Sequence, residues 1–171
     1  MSAAPHLVFD TSARASDGLA LLSAVSGALA REPDGATLRA TLCRTMALHM
    51  ALPFVALGTV HEGDVQAVSI AGSAAGSEGG FDMQPALRTI MRVVTARRTR
   101  HVSRAPDEPV TGTRITPGAL GWESLVALPV LHHAGHPVAV LCLAGPATVT
   151  CSDGTLQTLE VVSNQLSVAL D

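Results

Sequence analysis

The sequence contains 171 residues, of which 47% are hydrophobic and 15% are charged. This length fits one ordinary domain, and the apolar content is enough to bury a core, so wholesale disorder is not expected. The formal net charge is −3 and only 2% of the residues are aromatic. These values argue against a nucleic-acid-binding surface, which needs basic patches and stacking rings.

The N-terminal region has no basic segment leading into an apolar stretch, and no apolar run approaches the ~20 residues that a membrane helix needs. The cysteines Cys43, Cys142 and Cys151 are far apart and form no C-x-x-C pair. This spacing argues against a zinc knuckle or a redox pair, and we expect buried thiols in a reducing compartment. The sequence therefore predicts a cytoplasmic protein with no membrane partner.

Residues 1–15 are small, polar and aperiodic, and we interpret them as a flexible lead-in to a domain over residues 16–171. From Asp17, apolar residues recur at intervals of three and four, which predicts a helix that ends before Pro33. Asp34 is suited to cap a second helix, which extends through Met50.

A first β-hairpin follows Pro53. Residues 54–60, F-V-A-L-G-T-V, predict one strand, residues 61–64 form the turn with Gly63, and residues 65–72 predict the returning strand. A glycine- and serine-rich loop then leads to a predicted helix over residues 83–99 and a short strand over residues 100–104. Residues 105–121 predict a long loop.

A second hairpin and a final helix complete the chain. Residues 123–131 predict a strand, H-H-A-G-H is its turn, and residues 137–145 predict the returning strand. Apolar spacing predicts the last helix over residues 153–170. Strands joined by tight turns indicate antiparallel pairing. The expected class is α+β, with a central antiparallel sheet of five to six strands and helices on both faces.

The second hairpin and the order of elements resemble a GAF domain over about residues 17–171. The residues that carry the resemblance are the S-x-x-x-x-P-V pattern at Ser124–Val130, the turn at Ala134 and Gly135, and the small apolar strand from Val138 to Leu143. One departure is V-A-V-L at residues 138–141, where the family usually has I-G-V-L. The resemblance implies a sensory or regulatory domain of a bacterial signalling protein, and we expect no enzymatic activity.

Three histidines in the second turn, His132, His133 and His136, raise the question of a metal site. Two zinc ligands on one helix need the spacing i and i+4, which His132 and His136 have, but Gly135 and Pro137 prevent a helix there. We therefore interpret these histidines as an exposed turn and predict no metal site, with adventitious nickel or zinc binding as the alternative.

Other chemistries of GAF-like domains lack their residues in this chain. In GAF domains that bind heme through a histidine, the resemblance implies that this histidine lies just before the proline-containing strand. Residues 115–122, which precede that strand here, contain no histidine. The related free methionine sulfoxide reductases use cysteines in the preceding loop, and no cysteine lies between Cys43 and Cys142. Neither the cysteine–histidine pair of bilin attachment nor the N-K-x-x-F-x-x-x-D-E pattern of cyclic-nucleotide binding is present. No catalytic residue and no cofactor is predicted.

The resemblance implies a ligand pocket between the sheet and residues 81–121. Period-two alternation places Val138, Val140 and Cys142 on one side of their strand and Ala139, Leu141 and Leu143 on the other. The resemblance implies that the side of Cys142 faces the pocket. The candidate residues for an unidentified small-molecule ligand are His101, Thr111, Arg114, Trp122, Ser124 and Cys142.

The first and last helices are the candidate dimer interface. Apolar stripes at the residues Val25, Leu29, Leu159, Val162 and Leu166 suit a parallel helical pair. The last helix reaches Asp171 without a capping residue, and we expect it to continue into an output domain of a larger protein. The alternatives are a structural dimerisation domain with a closed pocket and a metal- or heme-binding sensor.

Overall fold

A computed structural model describes residues 11–31, 34–72, 84–98, 100–104, 123–150 and 152–170 of the chain. The helices are α1 (Thr11–Arg31), α2 (Gly35–His49), α3 (Gln84–Arg97), α4 (Ala147–Thr150) and α5 (Asp153–Ala169). The strands are β1 (Phe54–His61), β2 (Asp64–Ala71), β3 (His101–Arg104), β4 (Ser124–Leu131) and β5 (Pro137–Gly145).

The predicted elements are present, and the largest difference lies at the N-terminal end. Helix α1 begins at Thr11, so the last five residues of the predicted lead-in, 11–15, are helical, and residues 1–10 lie outside the described part. Residues 11–15 contain no large apolar residues at helical spacing, so the sequence pattern did not indicate a helix there. Alanine, as at Ala13, nevertheless has the highest helix propensity. The short helix α4 was not predicted.

The described strands form one five-stranded sheet in the order β2-β1-β5-β4-β3. Every neighbouring pair is antiparallel. In the turn between β4 and β5, the amide of Gly135 donates to the carbonyl of His132 at 2.7 Å, and Gly135 has a φ of +82°. This left-handed conformation favours glycine, which explains its place in the predicted turn. The α+β class and the antiparallel sheet are confirmed.

One side of the sheet, the helical side, packs against α1, α2 and α5. Alternate residues of the three central strands point to it, among them Val55, Val126 and Leu141. Helix α2 lies on β1 and β2, α5 lies mainly on β4, and α1 packs against both helices. Full burial of an aliphatic side chain contributes about 1.5–3 kcal/mol, so the many buried side chains of this layer contribute strongly to stability.

The opposite side of the sheet, the α3 side, is covered by α3 in the described part of the chain. Phe54, Leu125 and Cys142 point to it from the strands and pack with Ile90 and Met91 of α3. Val140 also lies on this side, as the alternation predicted. Val138 does not, because the register shifts between Val130 and Leu131, and Val138 packs instead on the helical side.

The predicted dimer stripes lie inside this domain. The side chains of Val25, Leu159, Val162 and Leu166 have no exposed surface, and Leu29 packs against the same core. The four fully buried positions were therefore assigned wrongly to the surface between two copies, whereas the assignment of the partly buried Leu29 stays a prediction. Spacing by three and four shows only that one helix face is buried, and here the domain's own core and sheet bury it.

Candidate functional site

A ligand pocket was predicted on the α3 side of the sheet, and in the described part of the chain side chains of α3 pack directly against this side. Met91 lies on β1 at Gly58, and a Cβ atom at Gly58 would come within 2.6 Å of the Met91 sulfur. Glycine inside a strand commonly marks such a close approach. The neighbouring α3 residues Leu87, Ile90 and Val94 are buried as well. The described residues thus bring α3 into direct contact with the sheet.

Two charged residues attach α3 to the first hairpin. Arg88 donates through Nη1 to the carbonyl of Val65 at 2.7 Å and through Nη2 to that of Gln66 at 3.3 Å. Arg92 forms an ion pair with Asp64, with 3.0 Å between Nε and Oδ1. This ion pair and the amide of Val65 hold the pKa of Asp64 below its usual value of 3.8.

Cys142, a predicted pocket residue, lies on the α3 side and is completely buried. Burial raises the pKa of its thiol. Burial also raises the pKa of Cys43, on the helical side, to about 12. A thiol must ionise to act as a nucleophile, so neither sulfur is activated. The side chain of Cys151 lies outside the described residues.

Ser124 lies on the other side of the sheet from Cys142. In the antiparallel register of β4 and β5, Ala127 is opposite Cys142 and Ser124 is three residues before Ala127. The buried Ser124 hydroxyl donates to the carbonyl of Gly145 at 3.0 Å and also contacts the hydroxyl of Thr150 in α4. The structure therefore does not bring Ser124 together with Cys142.

The structure describes the other predicted ligand-binding residues only in part. His101 is the first residue of β3 and pairs with Ala127, while its side chain lies outside the described part. Thr111, Arg114 and Trp122 all fall within residues 105–122, which are also outside it. Their assignment to the pocket stays a prediction.

The histidine turn is ordered by stacking and hydrogen bonds. The ring centres of His132 and His136 are 4.3 Å apart, and those of His132 and His133 are 3.7 Å apart. Nδ1 of His132 accepts a hydrogen bond from the amide of Ala134 at 3.0 Å. Among the described residues, no group of three or more His, Cys, Asp or Glu side chains is placed to hold a metal ion.

A surface groove of about 400 Å³ lies between the two hairpin turns and the end of α5. It is lined by Thr59, Val60, His61, Glu62, His136, Pro137, Val138 and Leu170. His136 joins this groove to the histidine turn. The groove opens at the end of the sheet and includes none of the predicted ligand-binding residues.

The outer surface of α1 and α5 carries exposed apolar side chains. The two helices run parallel, since Gly18 lies beside Thr158 and Gln165 Nε2 donates to Ser26 Oγ at 3.2 Å. The exposed fractions are 69% for Leu19 on α1, and 44% and 81% for Val161 and Val168 on α5. Val161 and Val168 are seven residues apart and thus lie on one stripe. We call these three residues the outer stripe.

Sequence reasoning missed both the outer stripe and the contact of Met91 with Gly58. The signal for the contact was a glycine within an apolar strand. The outer stripe carries no comparable signal, because the sequence does not show which apolar residues of α1 and α5 stay exposed once one face of each helix is buried. No helix in the described ranges is long and apolar enough to cross a membrane.

Comparison with solved structures shows the fold. The nlh2 GAF domain of A. aeolicus in an inactive state has a TM-score of 0.69 at 11% identity, with 91% of this chain and 96% of that chain covered. A putative GAF sensor protein from Burkholderia vietnamiensis has a TM-score of 0.66 at 14% identity, with 99% and 94% covered.

An enzyme has the same fold. The free methionine-R-sulfoxide reductase of Neisseria meningitidis, in complex with its substrate, has a TM-score of 0.66 at 14% identity, with 99% of this chain and 93% of that chain covered. Fold likeness alone therefore does not distinguish a regulatory domain from a reductase. No curated protein matches the chain by sequence.

The family assignment comes from the sequence itself. The GAF domain family matches residues 34–170, a range that begins at the N-cap of α2 and ends after α5. The expected resemblance is confirmed, and helix α1 precedes the matched range. The chain belongs to the GAF domain family, which is generally regulatory.

Proposed function

We propose that this chain is a regulatory domain that forms a parallel homodimer through the outer surface of α1 and α5. The observation that carries the proposal is the outer stripe, Leu19, Val161 and Val168, on two adjacent parallel helices. Exposed apolar side chains that cluster on one face are typical of association sites. A twofold axis parallel to the helices would place the two stripes against each other.

The inner faces of the same helices support a role in signalling. Leu159 and Leu166 of α5 are buried in the core on the helical side of the sheet, while Val168 faces outward. A change in the sheet therefore moves α5 directly and alters the relative position of two α5 helices in a dimer. In the proposed full-length protein, α5 leads to an output domain, and ligand or partner binding acts by its differential affinity for two helix arrangements.

Sedimentation velocity tests the homodimer, with Val168→Glu as the variant and Leu48→Glu as the matched control. Leu48 is 75% exposed on α2, away from the outer stripe. Two unpaired carboxylates buried at a twofold interface should cost on the order of 3–5 kcal/mol. This cost raises the dissociation constant by more than about a hundredfold.

We expect Val168→Glu to be monomeric where the wild type and Leu48→Glu are dimeric. A wild type that is monomeric at high micromolar concentration contradicts the proposal. Equal dissociation constants for the two glutamate variants contradict it as well.

Small-molecule binding is the second candidate function. It is supported by the position of α3, which covers one side of the sheet, has its own buried apolar surface and is attached to the first hairpin by Arg88 and Arg92. A ligand between α3 and the sheet would move α3 and, through the hairpin, β1. The proposed ligand-binding residues are His101, Thr111, Arg114, Trp122 and Cys142.

Ligand occupancy distinguishes this candidate from a dimerisation domain with a closed pocket. Native mass spectrometry of the protein purified from its host should show a bound small molecule if the pocket is used. An absorbance spectrum of the same sample tests the heme alternative, since a Soret band would establish a heme-binding sensor. We propose a cytoplasmic location for the domain.

A further inference from the structure

A strand glycine and a methionine are in unusually close contact beneath α3. Gly58 is an interior residue of β1, and a Cβ atom there would lie 2.6 Å from Sδ of Met91 and 3.2 Å from Cγ1 of Val65. Any larger residue at position 58 would displace the thioether, so glycine creates the space that Met91 occupies. Met91 itself has no exposed surface.

A buried hydroxyl lies one helical turn further along α3. Thr95 follows Met91 by four residues, a spacing that places both on the same face of the helix. Thr95 is only 4% exposed, and its Oγ1 has no hydrogen-bond partner among the described residues. Folded proteins rarely leave a buried hydroxyl unpaired, because its hydrogen bonds to water are lost without replacement.

We propose that Met91 occupies a ligand subsite and is displaced when a small apolar molecule with one hydrogen-bonding group binds beneath α3. The apolar part would take the place of the thioether on Gly58, and the polar group would pair with Oγ1 of Thr95. Methionine suits this role because its unbranched side chain rearranges more easily than that of other core residues. The inference deepens the second candidate function and is independent of the homodimer.

In this proposal, Met91 keeps the subsite closed when no ligand is bound. With Met91 on Gly58, the apolar surface of both is buried, and among the described residues of α3 the Thr95 hydroxyl is left unpaired. Ligand binding must then compete with the protein's own side chain. This competition lowers the apparent affinity, since only the open form can bind.

Replacement of the methionine side chain by a small sulfide tests the proposal. In Met91→Ala we would compare 2-(methylthio)ethanol with methyl propyl sulfide, which has a methyl group in place of the hydroxyl. Both compounds restore the thioether, but only the alcohol can pair with Thr95. The matched control is Met46→Ala, because Met46 is equally buried but lies in the core on the helical side of the sheet.

In titration calorimetry, Met91→Ala should bind the alcohol about twofold to tenfold more tightly than the sulfide, which corresponds to the net value of one hydrogen bond. Met91→Ala combined with Thr95→Val should lose this preference, and Met46→Ala should not show it. The proposal is overturned if Met91→Ala binds neither compound or does not prefer the alcohol. An equal preference in Met46→Ala overturns it too.

A measurement on the wild type covers the case in which Met91→Ala does not fold. With ¹³C-labelled methionine methyl groups, relaxation dispersion should show exchange at Met91, and 2-(methylthio)ethanol should shift its signal while that of Met46 stays in place. A Met91 signal without exchange or shift contradicts the proposal. Sedimentation of the same sample reports the homodimer separately, because Met91 is not on the α1–α5 surface.

Discussion

Nε of Arg92 lies 3.0 Å from Oδ1 of Asp64, and this ion pair joins α3 to the first residue of β2. Both side chains are more than half exposed, so water and salt weaken the attraction. Arg88, one turn earlier on α3, binds the carbonyl of Val65 at 2.7 Å. The helix that covers the candidate ligand site is therefore attached to the first hairpin at two successive turns.

Acid should loosen α3 through Asp64. The pKa of Asp64 in the folded protein is below 3.8, first because of the hydrogen bond from Arg92. A lowered folded pKa means that the contribution to stability is complete above the unfolded pKa and is lost as the pH falls through the folded one. We expect hydrogen exchange of α3 amides, corrected for intrinsic rates, to quicken below pH 3.8. The change should be smaller in Asp64→Asn, and the same pH dependence in both proteins would contradict this.

Truncation should destabilise the protein at Leu166 but hardly at Val168, although the two residues are only two positions apart on α5. Leu166 is fully buried and Val168 is 81% exposed. Leu166→Ala should lower the free energy of unfolding by about 2–5 kcal/mol, whereas Val168→Ala should change it by less than about 0.5 kcal/mol. Urea denaturation at a concentration where the protein is monomeric measures both. Similar losses would contradict an orientation of α5 with Leu166 in the core and Val168 at the surface.

Two glycine-to-alanine substitutions distinguish the steric cost of a new methyl group from the stabilising effect of reduced backbone freedom. Gly58→Ala brings a methyl group against Met91 and should cost about 1–3 kcal/mol of stability. Gly154→Ala, in the first turn of α5, has no atom within 4 Å of the new Cβ. It should be neutral or stabilise by up to about 1 kcal/mol through helix propensity. Thermal unfolding of the two variants checks the contrast, which a stable Gly58→Ala protein would refute.

The described cysteines should react slowly in the native state. Burial raises the pKa of Cys43 to about 12 and also raises that of Cys142. The reactive thiolate is therefore scarce near neutral pH. We expect iodoacetamide to modify both residues only after unfolding, as followed by peptide mass spectrometry.

We also expect no free methionine sulfoxide reductase activity. Turnover that Cys142→Ser abolishes would establish an enzyme instead.

Zinc should not stabilise the domain through its histidine turn. The rings of His132, His133 and His136 contact one another, but they lie on an exposed hairpin turn rather than in a closed site. A stoichiometric site at 100 times its dissociation constant would add about 2.7 kcal/mol of stability. A rise of several degrees in the melting temperature with equimolar zinc, absent in His136→Ala, would show that the turn is a metal site.

Much of the fold could be predicted because local patterns decide it. Asp34 accepts a hydrogen bond from the amide of Thr37 at 2.9 Å as the N-cap of α2, and Gly63 and Gly135 occupy the left-handed positions of the two hairpin turns. Such signals depend on neighbouring residues only. The alternation of Val140 and Cys142 against Leu141 and Leu143 was also correct.

The errors arose where the answer depended on distant parts of the chain. The stripe containing Val162 was predicted to face a second copy, but spacing cannot show whether a buried face meets another chain or its own sheet. The bulge next to Val138 reversed the side on which that residue lies. The three-dimensional register decides on which side of the sheet Ser124 lies. It also decides that Ser124 contacts Thr150 of α4.

Pro129 gives β4 a special connection to α5. Proline has no amide hydrogen, so it cannot donate a bond to a neighbouring strand, and its carbonyl accepts a hydrogen bond from the hydroxyl of Ser163 at 3.3 Å. Val162 and Leu166, on either side of this bond, are buried in the core on the same side of the sheet. A polar contact at Ser163 and apolar contacts at the neighbouring residues of α5 thus hold α5 against β4. A displacement of β4 would therefore move α5 with it at Ser163, and α5 would carry that movement toward its C-terminal end.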